Sequence, residues 1–197
     1  MSTQTRCGTF SASSMYKLLV KPKSKSEEFS QTALTYITQK AMEQHTGIED
    51  EISAAALDWG NENEPQSLHM YEQVFGTTLT QPERVQKGPI TGIADGIDGN
   101  ILIETKSPWN RAIHFENLLL QAEDFPRRRK EYWVQINTYM LLYDLSSARF
   151  LSYDPRFPEV TQLAVIELER DNDLCVEIMD ASEKAEKKKN EILAKLK

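Results

Sequence analysis

Asp95, Glu104 and Lys106 stand close together in this chain, and Glu64 precedes them in an otherwise helical stretch. Carboxylates are hard oxygen ligands suited to Mg2+, a cation that keeps several of its own waters and needs only a few protein groups. A divalent ion held by such a set can activate a water, shield an anionic ester and stabilise a leaving oxygen, the three demands of phosphodiester hydrolysis. Lys106, two residues beyond Glu104, would place an ammonium beside the attacking water. The carbonyl of Thr105 between them can complete the metal shell. Mg2+ is the expected cofactor, with Mn2+ as an alternative. Taken singly, Glu-x-Lys also suits a solvated cross-strand pair, and Glu64 also suits the first turn of a helix.

Elements that would position these groups are legible around them. Ile90 to Ile97 and Asn100 to Lys106 read as strands joined by a tight turn at Asp98-Gly99, a dipeptide tolerant of positive φ. That turn pairs Ile97 with Asn100 and Asp95 with Leu102, so Asp95, Glu104 and Lys106 share one sheet face. A loop one residue longer would reverse the parity. Upstream, Ser53 to Trp59 reads as helix, Gly60 as an interruption, and Pro65 as the first turn of a second helix ending at Phe75. Glu64, Leu68, Tyr71 and Phe75 then form one inward stripe. Downstream, Glu131 to Leu145 is apolar on nearly every side, with Gln135 and Asn137 as polar guests. Further helices are expected over Ser11 to Leu19, with a capping serine, over Ser30 to Gln44, and from Asp173 onward. Arg149 to Tyr153 and Thr161 to Leu168 read as strands.

The bulk numbers are those of one globular domain spanning residues 1–197. Of the 197 residues 40% are hydrophobic and 27% charged, and no apolar run is long enough to span a membrane. With no apolar leader segment either, a cytoplasmic location is expected. Cys7 and Cys175 are too few for a thiolate zinc site or a four-cysteine cluster and read as packing residues. The net charge of −7 is unusual for a DNA-binding protein. Basic residues nonetheless cluster at Lys17 to Lys25, Arg127 to Lys130 and Lys184 to Lys189, apart from the acidic stretch Glu43 to Glu72.

The order helix acid, strand acid, hairpin, then Ile-Leu-Ile-Glu-Thr-Lys is that of PD-(D/E)XK nucleases. Over Arg6 to Glu169 the chain resembles the lambda exonuclease or YqaJ-like phage recombinases. The match runs through Arg6-Cys-Gly-Thr-Phe-Ser-Ala-Ser13, the later Lys-Pro-Lys, Ala56-Leu-Asp-Trp-Gly with Glu64, Ala94-Asp95-Gly96, Glu104-Thr-Lys106, Val134-Gln135 and Tyr153-Asp-Pro-Arg156. The resemblance implies an α/β fold, a mixed sheet flanked by helices with a restriction-endonuclease-like core. It implies a catalytic centre of Glu64, Asp95, Glu104 and Lys106 supported by Gln135, and it aligns Arg6, Ser11 and Ser13 with a segment that grips a terminal 5'-phosphate. A third phosphate-holding serine of the family falls here at Ile93. A homotrimeric ring, 5'-to-3' digestion of double-stranded DNA ends leaving 3' overhangs, and a single-strand annealing partner protein are further implications.

Two other readings use the same residues. A structure-specific or site-specific endonuclease would share the bond chemistry, and a non-catalytic DNA-binding assembly factor would share only the fold.

Overall fold

The computed structural model describes residues 7–49 and 55–196. A short strand β1 (Phe10–Ser11) leads into a 3-10 helix (Ala12–Leu19), and α1 (Gln31–Thr46) follows. Ser30 caps α1 by accepting the Ala33 N–H at 3.1 Å, and Gly47 ends it in the left-handed region. Ser11 occupies the N-cap position of the 3-10 helix but makes no capping bond; its Oγ lies 3.3 Å from the Tyr36 hydroxyl instead.

Next comes α2 (Ala55–Phe75), one helix that runs through both Gly60 and Pro65. The expected interruption at Gly60 is therefore absent, and Pro65 sits well inside the helix, where it leaves one carbonyl without its usual donor. Packing decides the matter: Tyr71 is fully buried with Leu68 beside it, and Ser67 Oγ lies 2.5 Å from Thr105 Oγ1. The expected start at Ser53 lies outside the described residues.

Strands β2 (Val85–Lys87) and β3 (Ile90–Gly92) form a three-stranded sheet with β1, in the order β1-β3-β2. A second sheet holds β4 (Gly96–Asp98), β5 (Ile101–Lys106), β6 (Ser147–Tyr153) and β7 (Leu163–Glu169) in that order, with only β5 and β6 parallel. The stretch expected as one strand from Ile90 to Ile97 is thus two strands in two sheets, joined through Ile93, Ala94 and Asp95. Gly92 permits the crossing, because a Cβ there would stand 2.6 Å from the Tyr139 ring.

The hairpin register also differs from the expected one. Asp98 pairs with Ile101, Ile97 with Leu102 and Gly96 with Ile103, so the turn is Gly99-Asn100. Asp98 is held in the strand, since its carboxylate accepts from Tyr71 and Thr77 hydroxyls at 2.7 Å each. Positive φ then falls on Gly99 and not on Asn100, the pattern of a type II′ turn. The register moves by two residues, which preserves parity. Continuing it places Asp95 opposite Glu104, on the face expected.

Between β5 and β6 run α3 (Arg111–Leu119), the short α4 (Phe125–Arg128) and α5 (Lys130–Tyr143); the first two have no counterpart in the sequence reading. The chain closes with α6 (Asn172–Ala194), capped by Asp171 through the Leu174 N–H. Alternate residues of β5 build the two faces of the sheet. Leu102 joins Phe150, Ile166, Ile136 and Met140 in the main core, while Ile103 joins Tyr71 and Leu151 in a smaller one. Glu104 shares the parity of Leu102, so it points into the larger core.

Candidate active site

Strand β5 carries the site because its central position buries both of its faces. Glu104 is fully buried. Its Oε1 accepts the Gln135 Nε2–H at 2.6 Å and is also contacted by the Lys106 ammonium. Asp95, at the crossing between the two sheets, has left the regular ladder. Its Oδ2 accepts the Thr105 backbone N–H at 2.8 Å. Glu64 comes from α2, on the other side of the sheet, and lines with Thr105 and Lys106 a cleft of about 530 Å³. A larger cavity of about 640 Å³ is bounded by Lys21, Phe29 and Lys188 and shares no residue with this cleft.

The electrostatics identify an excess of negative charge. Burial, reinforced by the Asp95 and Glu64 charges, pushes the Glu104 carboxyl up to about 8 against the pull of Lys106. Burial also raises Asp95, opposed by Lys106 and the Thr105 N–H. Glu64 is raised by burial and then by Asp95. Lys106 is drawn down by burial, but Glu104 and Asp95 more than reverse this and keep it protonated.

These residues fit a hard divalent cation. Glu104 Oε2 is buried without a hydrogen-bond partner among the described residues, while Oε1 is fixed by two donors. One oxygen is thus committed to the protein and the other is left for a ligand. Among the described residues no three His, Cys, Asp or Glu side chains converge as a closed metal cage. Magnesium does not require one, since it binds through one or two carboxylates and retains waters. Asp95 and Glu104 would form the inner pair holding such a cation, with the Thr105 carbonyl as the expected third ligand and Glu64 lining the cleft.

Of the residues expected to grip a 5'-phosphate, Arg6 lies outside the described residues. Ser11 pairs with Thr91 beside β3, four positions before Asp95 in the chain, and its Oγ lies 3.3 Å from that of Ser13. Ile93 is exposed. The basic clusters are partly consumed by the fold: Lys189 is buried against Glu186 and the Gly8 carbonyl, and Arg129 is bonded to Asn117 and Glu116. Both cysteines are free, as a packing role requires.

Sequence reasoning missed two neighbours. Tyr132 and Tyr139 flank Gln135 on one face of α5: Tyr132 lies under the Lys106 ammonium at 5.8 Å, and Tyr139 lies 3.5 Å from Gln135 Nε2. Their spacing of three and four residues from Gln135 was a usable signal. Arg156 and Trp59 both lie in segments of the family match, but their contact, with the guanidinium 4.5 Å from the Trp59 ring, was not readable from any local pattern.

A mixed sheet flanked by helices, with a buried acid and a lysine on an inner strand and a second acid beside it, is the PD-(D/E)XK nuclease type of fold. The YqaJ-like viral recombinase domain model matches residues 3–145, and the chain belongs to that family. The chain is similar to the LHK-Exo alkaline exonuclease of Laribacter hongkongensis in its complex with dAMP. That match has 26% identity and a TM-score of 0.82, covering 97% of this chain and 92% of the other. A phage-related exonuclease from Haemophilus somnus 129PT has the same fold at 22% identity and a TM-score of 0.81, covering 96% of each chain. No curated protein matches.

Proposed function

We propose that the chain is a magnesium-dependent exonuclease that digests one strand of double-stranded DNA from its 5' end, leaving 3' overhangs for recombination by strand annealing. The observation that carries the hydrolytic part is the buried Glu104, whose Oε1 is held by Lys106 and Gln135 while Oε2 has no partner among the described residues. A divalent cation bound there supplies water activation and neutralises charge on the scissile phosphate. The protein's own groups do the rest. Gln135 and Lys106 orient the Glu104 carboxylate, the Thr105 N–H orients Asp95, and Lys106 presents a positive charge to the pentavalent phosphate. Because Glu104 holds its proton up to about 8, a cation held there would have to displace that proton, and its affinity would rise with pH.

The polarity, the homotrimeric ring, the single-strand annealing partner and the grip of Arg6, Ser11 and Ser13 on a 5'-phosphate rest on the family. The Laribacter enzyme is known in complex with dAMP, which supports a nucleotide as a ligand of this chain. A bacterial cytoplasmic setting follows from a phage-type role; among the described residues no helix is long and apolar enough to cross a membrane. The test is to incubate the protein and Mg2+ with linear duplexes labelled at each 5' end and with closed circular duplex. Loss of label from the 5' ends of the linear DNA alone is expected. Cutting of the circle would make it an endonuclease, and no hydrolysis in any metal would leave only a binding module.

A further inference from the structure

The Tyr153-Asp-Pro-Arg156 segment has no part in the carboxylate site, yet it builds a rigid structure beside it. Asp154 is fully buried and takes a fork from Arg156, with Nε at 2.7 Å from Oδ1 and Nη2 at 2.7 Å from Oδ2. The same Nη2 reaches the carbonyls of Pro108 and Trp109 at 3.0 and 3.2 Å. The guanidinium therefore clamps the chain immediately after Lys106. It also lies over Trp59, whose ring meets Trp109 edge-on with centroids 5.9 Å apart. Held in this way, Trp109 is still 58% exposed. It forms one wall of the cleft that contains Glu64 and Lys106, with Pro108, Ile113 and Tyr132 among the others.

A large indole fixed in place yet left facing water is an unfavourable arrangement for stability alone. Two buried polar atoms at the same place, Ser107 Oγ and Trp59 Nε1, have no hydrogen-bond partner among the described residues. A ligand that suits this cleft must carry an anionic group for Lys106, a flat apolar face for the indole, and polar oxygens between them. A nucleotide has all three. We infer that Trp109 is a stacking subsite for the nucleobase whose phosphate lies at the carboxylate site, and that Asp154 and Arg156 are positioning residues that present it. This rests on the nuclease reading and specifies its substrate: the enzyme holds a base by its π-face, which every base has, so the contact is tolerant of sequence.

The experiment uses a hairpin duplex with a single open end, 5'-phosphorylated, whose terminal 5' nucleotide is either normal or abasic. With EDTA present no hydrolysis intervenes, and affinity is read by anisotropy. The wild-type protein should prefer the normal end on the order of 10-fold, Trp109→Ala should lose that preference, and Trp109→Phe should retain most of it. Arg156→Met should reduce the preference with the circular dichroism unchanged. In Mg2+, Trp109→Ala should raise KM with kcat nearly unchanged. A wild-type protein indifferent to the abasic end, or a Trp109→Ala variant that still discriminates, overturns the subsite. Discrimination without hydrolysis in any metal would overturn the nuclease reading and leave the subsite standing, whereas hydrolysis without discrimination does the opposite.

Discussion

Asp95 and Asp98 are three residues apart and meet opposite environments. Asp98 accepts hydroxyl bonds from Tyr71 and Thr77 and lies 3.6 Å from Arg149. Those hydroxyls, then Arg149, hold its carboxyl below the ordinary value despite partial burial. Asp95 faces Glu104 and Glu64, and its carboxyl is raised. The fold satisfies one acid completely with its own donors and leaves the other buried, its carboxyl raised by desolvation that Lys106, the Thr105 N–H and a bond with Glu104 only partly offset. The first arrangement is a staple and the second is a site.

The sharpest way to break this contrast is to mutate both regions and assay hydrolysis. Glu104→Ala, Asp95→Ala and Lys106→Ala should each lower turnover on the order of 100-fold or more with the fold retained. Asp98→Asn should leave the turnover of the folded protein near that of wild type. Near-normal hydrolysis by Lys106→Ala would mean that the chemistry is elsewhere.

The second effect is on stability against pH. A buried Glu104 that titrates near 8 in the folded state and near the ordinary 4.5 when unfolded keeps its proton longer in the folded chain. Its stabilising contribution is therefore full below 4.5 and is lost as pH rises towards 8. In EDTA the melting temperature should fall across that window, and Mg2+ should restore more of it at pH 8 than at pH 6. Glu104→Gln should flatten the slope in EDTA. Asp98 has the opposite sign: its contribution is present above the ordinary 3.8 and is lost as pH falls through its lower folded value.

A smaller change is expected from Asp98→Asn, which weakens the bonds to Tyr71, Thr77 and Arg149 and should cost about 1–3 kcal/mol in urea unfolding. An unchanged midpoint would show that Arg149, which also reaches Glu167 and the Phe75 ring, carries that corner alone. The smallest effect belongs to the exposed Ser13. Ser13→Ala should shift stability by less than about 0.5 kcal/mol while reducing the preference for 5'-phosphorylated over 5'-hydroxyl ends. Arg6→Ala should reduce that preference further. If both variants discriminate as well as the parent, the amino-terminal match has a structural meaning only.

The chain's local chemistry determined a good deal. The unbroken apolar run Ile-Leu-Ile before Glu-Thr-Lys set a strand with both faces buried, because successive side chains must point to opposite sides. The caps at Ser30 and Asp171, the buried helix around Gln135 and the shared face of Asp95, Glu104 and Lys106 follow from equally local rules. Tertiary structure decided the rest. The turn moved to Gly99-Asn100 because Tyr71 and Thr77, distant in sequence, hold Asp98 in the strand. The stretch before Asp95 crosses between two sheets because β1 pairs with β3. Gly60 and Pro65 remain helical because Ser67, Leu68 and Tyr71 have long-range partners worth more than the local cost. The Asp154–Arg156 clamp on Trp109 joins segments more than forty residues apart, and no spacing along the chain encodes such a contact. Periodicity fixes which way a side chain points relative to its neighbours, whereas what it meets there depends on non-local packing.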